Sequence, residues 1–320
     1  MLKWSLRIGL GLLALLILVL AVALFDFTRW RTELIRAIDD DPDRRIASTA
    51  LGDIEYAVVG EGAPVLVLHG GPGGYDHSLI GRRLGRASMI PNSMTIAVSR
   101  PGSLGTPLSS GASESEQADL FVALLDELGV ERVIVVATSA GGRPALQFVI
   151  RHPDRTAGVV LLSPAIEGLT GEPPELGAAG LFVADMTIWA SAKFFPGALV
   201  GDYDPDNAAQ ASAARASLEV MIPMNRRWAG NLNDVAQSSI SPIDEWPLES
   251  ISRPVLIVHG DADTLTSYTA SRQTAERIPN AQFETIEGGG HFLLSTRGGE
   301  VADLVAAFLE SSALEISPSR

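Results

Sequence analysis

Hydrophobic and polar positions divide the chain into one long apolar run and, after it, an alternation of strand-like and helix-like patterns. Residues 8–25 carry no charged side chain, and Leu, Ile, Val and Ala fill nearly every position. At about 1.5 Å rise per residue this run makes roughly 27 Å of helix, close to the ~30 Å hydrocarbon core of a bilayer. Trp4 and Trp30 flank it with Lys3, Arg7, Arg29 and Arg31, the residue types that favour a membrane interface. The pattern predicts an uncleaved transmembrane anchor over residues 1–25. A secretory signal peptide cut after Ala21-Val22-Ala23 is the alternative, disfavoured because apolar residues continue unbroken to Phe25.

Asp39-Asp40-Asp41-Pro42-Asp43 is polar and turn-prone, so residues 26–45 read as a linker. Short runs rich in Val, Ile and Leu follow at 64–68, 94–98, 132–137, 158–162 and 254–258, as suits strands buried on both faces. Residues 282–286 alternate like a final strand. Helical spacing occupies 114–128, 143–151, 268–277 and 300–309, and Ser113 with Glu116 forms a capping box before the first of these. Strands alternating with helices imply a mostly parallel sheet with helices on its faces. The alternation fails over 166–246, where Pro173-Pro174, Pro196, Asp204-Pro205 and Pro223 punctuate helical pieces, and an inserted helical cap is expected. The core is thereby divided into 46–165 and 247–310, with a tail at 311–320.

Composition narrows the function classes. Residues 1–45 hold seven basic and six acidic side chains, so the net charge of −14 belongs to the body beyond them. Such a body repels phosphate backbones, and no nucleic-acid partner is expected. With no cysteine, disulfides and thiolate-held metal are excluded, and no metal or cofactor is expected. Basic residues before and after the apolar run are too evenly matched to set its orientation. An extracytoplasmic body is the expectation adopted, and oligomeric state is left open.

Four segments at strand ends carry candidate chemistry. Ala137-Thr138-Ser139-Ala140-Gly141-Gly142 joins the run 132–137 to a helix and presents Ser139 on a small-residue turn. His69-Gly70-Gly71-Pro72-Gly73-Gly74 follows 64–68. His259-Gly260-Asp261-Ala262-Asp263 follows the run 254–258, and Gly288-Gly289-Gly290-His291 follows 282–286. In this order the four resemble the α/β-hydrolase fold superfamily, whose nucleophile elbow reads Gly-x-Ser-x-Gly and whose triad runs Ser, Asp, His along the chain. Ala137 stands where that elbow has its first Gly. The resemblance covers the two core parts and not the cap.

What the resemblance implies is specific. Ser139 would be the nucleophile, Gly71 and Ala140 the oxyanion-hole amides, and Asp263 the carboxylate, with Asp261 as runner-up. Of five histidines, His69 and His259 end strands, His77 opens a helix and His152 follows one. That leaves His291 as the base. Serine at the elbow argues against haloalkane dehalogenases and epoxide hydrolases, which use Asp there. The His-Gly-Gly-Pro-Gly-Gly loop is also similar to proline iminopeptidases, but their Gly-Gly-Ser-Trp-Gly elbow is missing. The expected activity is cleavage of a small-molecule ester or amide through an acyl-enzyme. An aminopeptidase, an acyltransferase and a non-catalytic binding protein are the alternatives. A further loop, Ser99-Arg100-Pro101-Gly102, resembles the superfamily's Asp-Arg-Pro-Gly with Ser99 in place of Asp, and is expected to shape the floor under the elbow. Phe182, Trp189, Phe194, Phe195, Met221, Met224 and Trp228 would line an acyl pocket or pack the cap onto the sheet.

Overall fold

In the computed structural model, which describes residues 2–83, 90–167, 176–201 and 203–312, eight strands form one sheet. They are β1 (Arg44–Thr49), β2 (Gly52–Val59), β3 (Ala63–Leu68), β4 (Ser93–Val98), β5 (Val133–Thr138), β6 (Thr156–Leu162), β7 (Val255–Gly260) and β8 (Ala281–Ile286). Their order is β1-β2-β4-β3-β5-β6-β7-β8. β1 and β2 pair antiparallel, as do β2 and β4, and every pairing from β4 to β8 is parallel.

Burial on both faces explains the unbroken apolar runs of the central strands. Val133, Val135 and Ala137 of β5 face one core, with Leu120, Phe121 and Leu124 of the helix Glu114–Glu127 and Leu146 and Phe148 of the helix Gly142–Arg151. Ile134 and Val136 face the other, with Val301, Val305 and Phe308 of the helix Gly298–Ser311. The capping box at Ser113 is formed: its hydroxyl accepts from the Glu116 amide, and the Glu116 carboxylate accepts from the Ser113 amide.

The expected linker over 26–45 is largely helix. One helix runs from Leu2 to Asp39, and Phe27, Leu34 and Ile38 on its distal part are buried. Charged neighbours obscured this stripe in the sequence, although its spacing is that of one helical face. The hairpin β1–β2 also went unforeseen. It lies at the sheet edge with several exposed positions, so it lacks the continuous apolar run that marks a central strand.

Between β6 and β7 the described residues form helices Ala178–Phe194, Gly197–Val200, Ala208–Glu219 and Trp228–Ile240, with no strand among them. Pro173 and Pro174, and the tail beyond Ser312, lie outside the described residues. The set expected to line an acyl pocket or pack the cap onto the sheet divides in two. Trp189 and Met224 are buried in packing near the N-terminal helix, and Met221 and Trp228 pack beside Leu34. Phe182, Phe194 and Phe195 face outward.

Candidate active site

Ser139 sits where β5 turns into the helix Gly142–Arg151, at φ +48°, a left-handed conformation that costs a non-glycine residue about 1–3 kcal/mol. Close packing holds the turn. A Cβ on Gly141 would come within 2.6 Å of the Leu68 carbonyl oxygen at the end of β3. One on Gly70 would come within 2.9 Å of the Ser139 Cβ. The amide of Ala165 donates to the Ser139 carbonyl at 2.9 Å, tying the turn to the chain beyond β6.

Three side chains far apart in the chain meet at this turn. His291 Nε2 lies 3.1 Å from Ser139 Oγ, and His291 Nδ1 lies 2.8 Å from Asp263 Oδ2. Asp263 is held from all sides. Its Oδ2 also faces His259 Nε2 at 3.0 Å and accepts from the Thr266 hydroxyl at 2.8 Å. Its Oδ1 accepts from the amides of Leu265 at 2.8 Å and Thr266 at 3.0 Å. Burial alone would raise this carboxyl. The hydrogen bonds from His259 and His291 and the attraction of His291 outweigh burial and hold it far below the usual carboxylate range. Asp261, the runner-up, is exposed and accepts from the Gly288 amide at 2.7 Å, which stabilises the turn before His291.

His259 is the site residue whose place the sequence did not reveal. It is fully buried, with Nε2 toward Asp263 and Nδ1 2.8 Å from the Ser271 hydroxyl. A single tautomer satisfies both partners: Nε2 donates to the carboxylate and Nδ1 accepts from Ser271. One carboxylate therefore orients two imidazoles.

The glycine loop after β3 is braced from behind. The Arg100 amide donates to His69 Nε2 at 2.9 Å, so His69 Nδ1 carries the proton and donates to the Gly70 carbonyl at 2.7 Å. Burial, with Arg100 nearby, keeps this imidazole well below its ordinary pKa and hence neutral. The Arg100 guanidinium donates to the His69 carbonyl at 2.9 Å and grips Asp234 of the helix Trp228–Ile240 through two 2.7 Å bonds. Ser99, where the resemblance has Asp, meets a carboxylate from elsewhere: its hydroxyl donates to the buried Glu55 at 2.6 Å. One turn before Asp234, the buried Asn231 puts its Oδ1 2.6 Å from where a Gly71 Cβ would stand. Gly70, the neighbour of Gly71, packs against the Ser139 turn, and Ala140 lies among early helical amides that have no intrahelical carbonyl to pair with. His152 is elsewhere, paired with Asp119. No group of acidic and imidazole side chains suited to a metal occurs among the described residues.

An alpha/beta hydrolase family model matches residues 65–304. The hydrolase YcgS of Bacillus subtilis is 28% identical, covering 81% of this chain and 96% of its own length. A 2-hydroxymuconate semialdehyde hydrolase of Pseudomonas putida is also 28% identical, over 80% of this chain and 90% of its own. A solved alpha/beta hydrolase fold protein from Nakamurella multipartita is 30% identical with a TM-score of 0.68, covering 84% of this chain and 99% of that one. A sheet with its serine turn at the end of β5, matched along three quarters of its length by one family, makes this chain a hydrolase of the alpha/beta hydrolase family.

Proposed function

We propose that this chain is a membrane-anchored serine hydrolase that cleaves a small-molecule ester or amide, with Ser139 as nucleophile, His291 as base and Asp263 as its orienting carboxylate. The unbroken line of hydrogen bonds Asp263–His291–Ser139 carries this reading. Asp263 fixes the proton of His291 on Nδ1 and leaves the Nε2 lone pair facing the Ser139 hydroxyl. The Oγ proton passes to Nε2 as Oγ bonds to the substrate carbonyl carbon. The developing oxyanion is received by the amides of Gly71 and Ala140. His291 then returns its proton to the leaving alcohol or amine, giving the acyl-enzyme, and a water activated at the same Nε2 releases the acid.

The helical insertion acts as a cap, fastened through Asp234 to Arg100, whose guanidinium also holds the His69 carbonyl at the start of the glycine loop. It brings Asn231 beside Gly71, where this amide side chain meets bound substrate. Relatives named as hydrolases support a small-molecule substrate. The N-terminal helix supports anchoring: none of its apolar part is buried, it is long enough to span a membrane, and it continues without a break into a packed segment. The body lies on the extracytoplasmic side. In the direct test, purified Ser139→Ala keeps its melting temperature and loses at least about 10³-fold in kcat on a short-chain nitrophenyl ester. Turnover within tenfold of the parent protein would refute the reading.

A further inference from the structure

We infer that the outward aromatic face of the cap, formed by Phe182, Phe194 and Phe195 with Val183 and Leu199, seats in the interface of the bilayer that the N-terminal helix enters. The inference rests on the anchor reading above and goes beyond it, because an anchor could equally hold the body away from the lipid on a flexible stalk. No stalk exists. Phe25 ends the apolar run, and Phe27 lies only about 3 Å further along the same helix. Phe27 is fully buried, its ring edge-on to Phe182 at 5.2 Å and to Trp189 at 5.9 Å. The rings continue outward: Trp189 to Phe194 at 5.9 Å, and Phe194 to Phe195 at 6.2 Å. The cap therefore meets the helix at the depth where the span leaves hydrocarbon.

The docked part of the helix cannot swing. Lys193 pairs with Asp26, Arg31 with the buried Asp185 at 2.7 Å, and Arg226 with Asp39 through bonds of 2.6 and 3.2 Å. The Tyr75 hydroxyl donates to the Ile38 carbonyl at 3.2 Å at the far end. With helix and cap locked together, the direction of the span decides which face of the body meets lipid. That face is apolar and open: Phe195 is 68% exposed, Val183 58% and Phe194 55%. Exposed apolar side chains gathered around a chain of packed rings in this way mark an interaction surface. The Lys193 ammonium stands 5.7 Å from the Trp189 ring and 5.9 Å from that of Phe194, an aromatic and cationic pairing suited to the headgroup zone.

The absence of native cysteine makes the test direct. Phe195→Cys and Val183→Cys are compared with Glu131→Cys, an exposed position at the opposite end of β5 from Ser139. Each full-length variant is labelled with an environment-sensitive fluorophore and reconstituted into phosphatidylcholine–phosphatidylglycerol vesicles containing lipids with a nitroxide quencher near the headgroup. Melting temperatures matching the parent establish that each variant is folded. The expected result is blue-shifted emission and at least threefold stronger quenching at 195 and 183 than at 131. Protein that floats with the vesicles but is quenched equally at all three positions overturns the seating and leaves the anchor standing. Labels shielded from aqueous iodide yet unquenched by lipid would mean that a second copy of the chain covers the face, which also overturns it. Protein that does not float at all removes the anchor reading and the seating together.

Discussion

Replacing Asp263 with Asn keeps the shape of the side chain and reverses the hydrogen-bonding character of half of it. Five donors converge on the carboxylate: two rigid backbone amides on Oδ1, and His259, His291 and the Thr266 hydroxyl on Oδ2. The new NH2 group must face one of these sets. The amides of Leu265 and Thr266 cannot turn away, and leaving them opposed would cost about 1–3 kcal/mol each. The other set can adapt, since a hydroxyl rotates and an imidazole changes tautomer. The Asn amide nitrogen is therefore expected to face the two histidines, making His291 Nδ1 an acceptor and placing the ring proton on Nε2, toward Ser139. A base in that tautomer cannot take the serine proton. The same inversion in serine proteases of unrelated fold lowers kcat by roughly 10⁴-fold, about 5 kcal/mol in the barrier. Turnover of a short-chain nitrophenyl ester by purified Asp263→Asn should fall by about 10³–10⁴-fold, whereas Asp261→Asn, which touches only the Gly288 amide, should stay within about threefold. An Asp263→Asn protein within tenfold of the parent, or an Asp261→Asn protein as damaged as Asp263→Asn, would refute the reasoning.

Two further outcomes concern stability. Burial lowers the pKa of His77 to about 4, so between about 6.5 and about 4 the unfolded chain binds the proton that the folded chain refuses. The His77 share of stability should therefore be lost as pH drops through that window, by at most about 3 kcal/mol, less whatever solvent screens at this half-buried ring, and stay constant below it while groups such as Asp263 go on titrating; melting curves of His77→Asn should be flatter there, and an unchanged slope would contradict this. Asp234→Ala leaves the buried Arg100 guanidinium with the His69 carbonyl at 2.9 Å and Gln117 at 3.4 Å, so a loss of about 3 kcal/mol, roughly 6 °C in Tm, is expected in a thermal scan. A shift below 1 °C would show that the pair contributes nothing to holding the cap.

What the sequence revealed follows from where information is local. The strands β3 to β7 were legible because burial on both faces writes a continuous apolar run. Ser139, Asp263 and His291 were singled out because the segments that follow their strands resemble those of a known family, and the structure brings His291 within hydrogen-bond distance of both Ser139 and Asp263. The hairpin β1–β2 was not legible, since an edge strand such as β1 alternates exposed and half-buried positions without a strong period. The docked stripe Phe27, Leu34 and Ile38 was hidden by interleaved arginines and acids whose partners, Asp185 and Arg226, lie more than a hundred residues away. Distance also hid Arg100–Asp234 and the placement of Asn231, because nothing near either residue signals a contact across the fold. His259 left one faint signal: it stands four residues before Asp263 at a strand end, close enough for both to reach the same site.

The central claim, that one serine is activated by the imidazole beneath the cap, is tested most directly by covalent labelling with a fluorophosphonate followed by mass spectrometry of the modified peptide. The account predicts a single adduct, on Ser139, abolished in Ser139→Ala and slowed by orders of magnitude in His291→Ala. Labelling that proceeds at the parent rate in either variant, or an adduct on another residue, would contradict it.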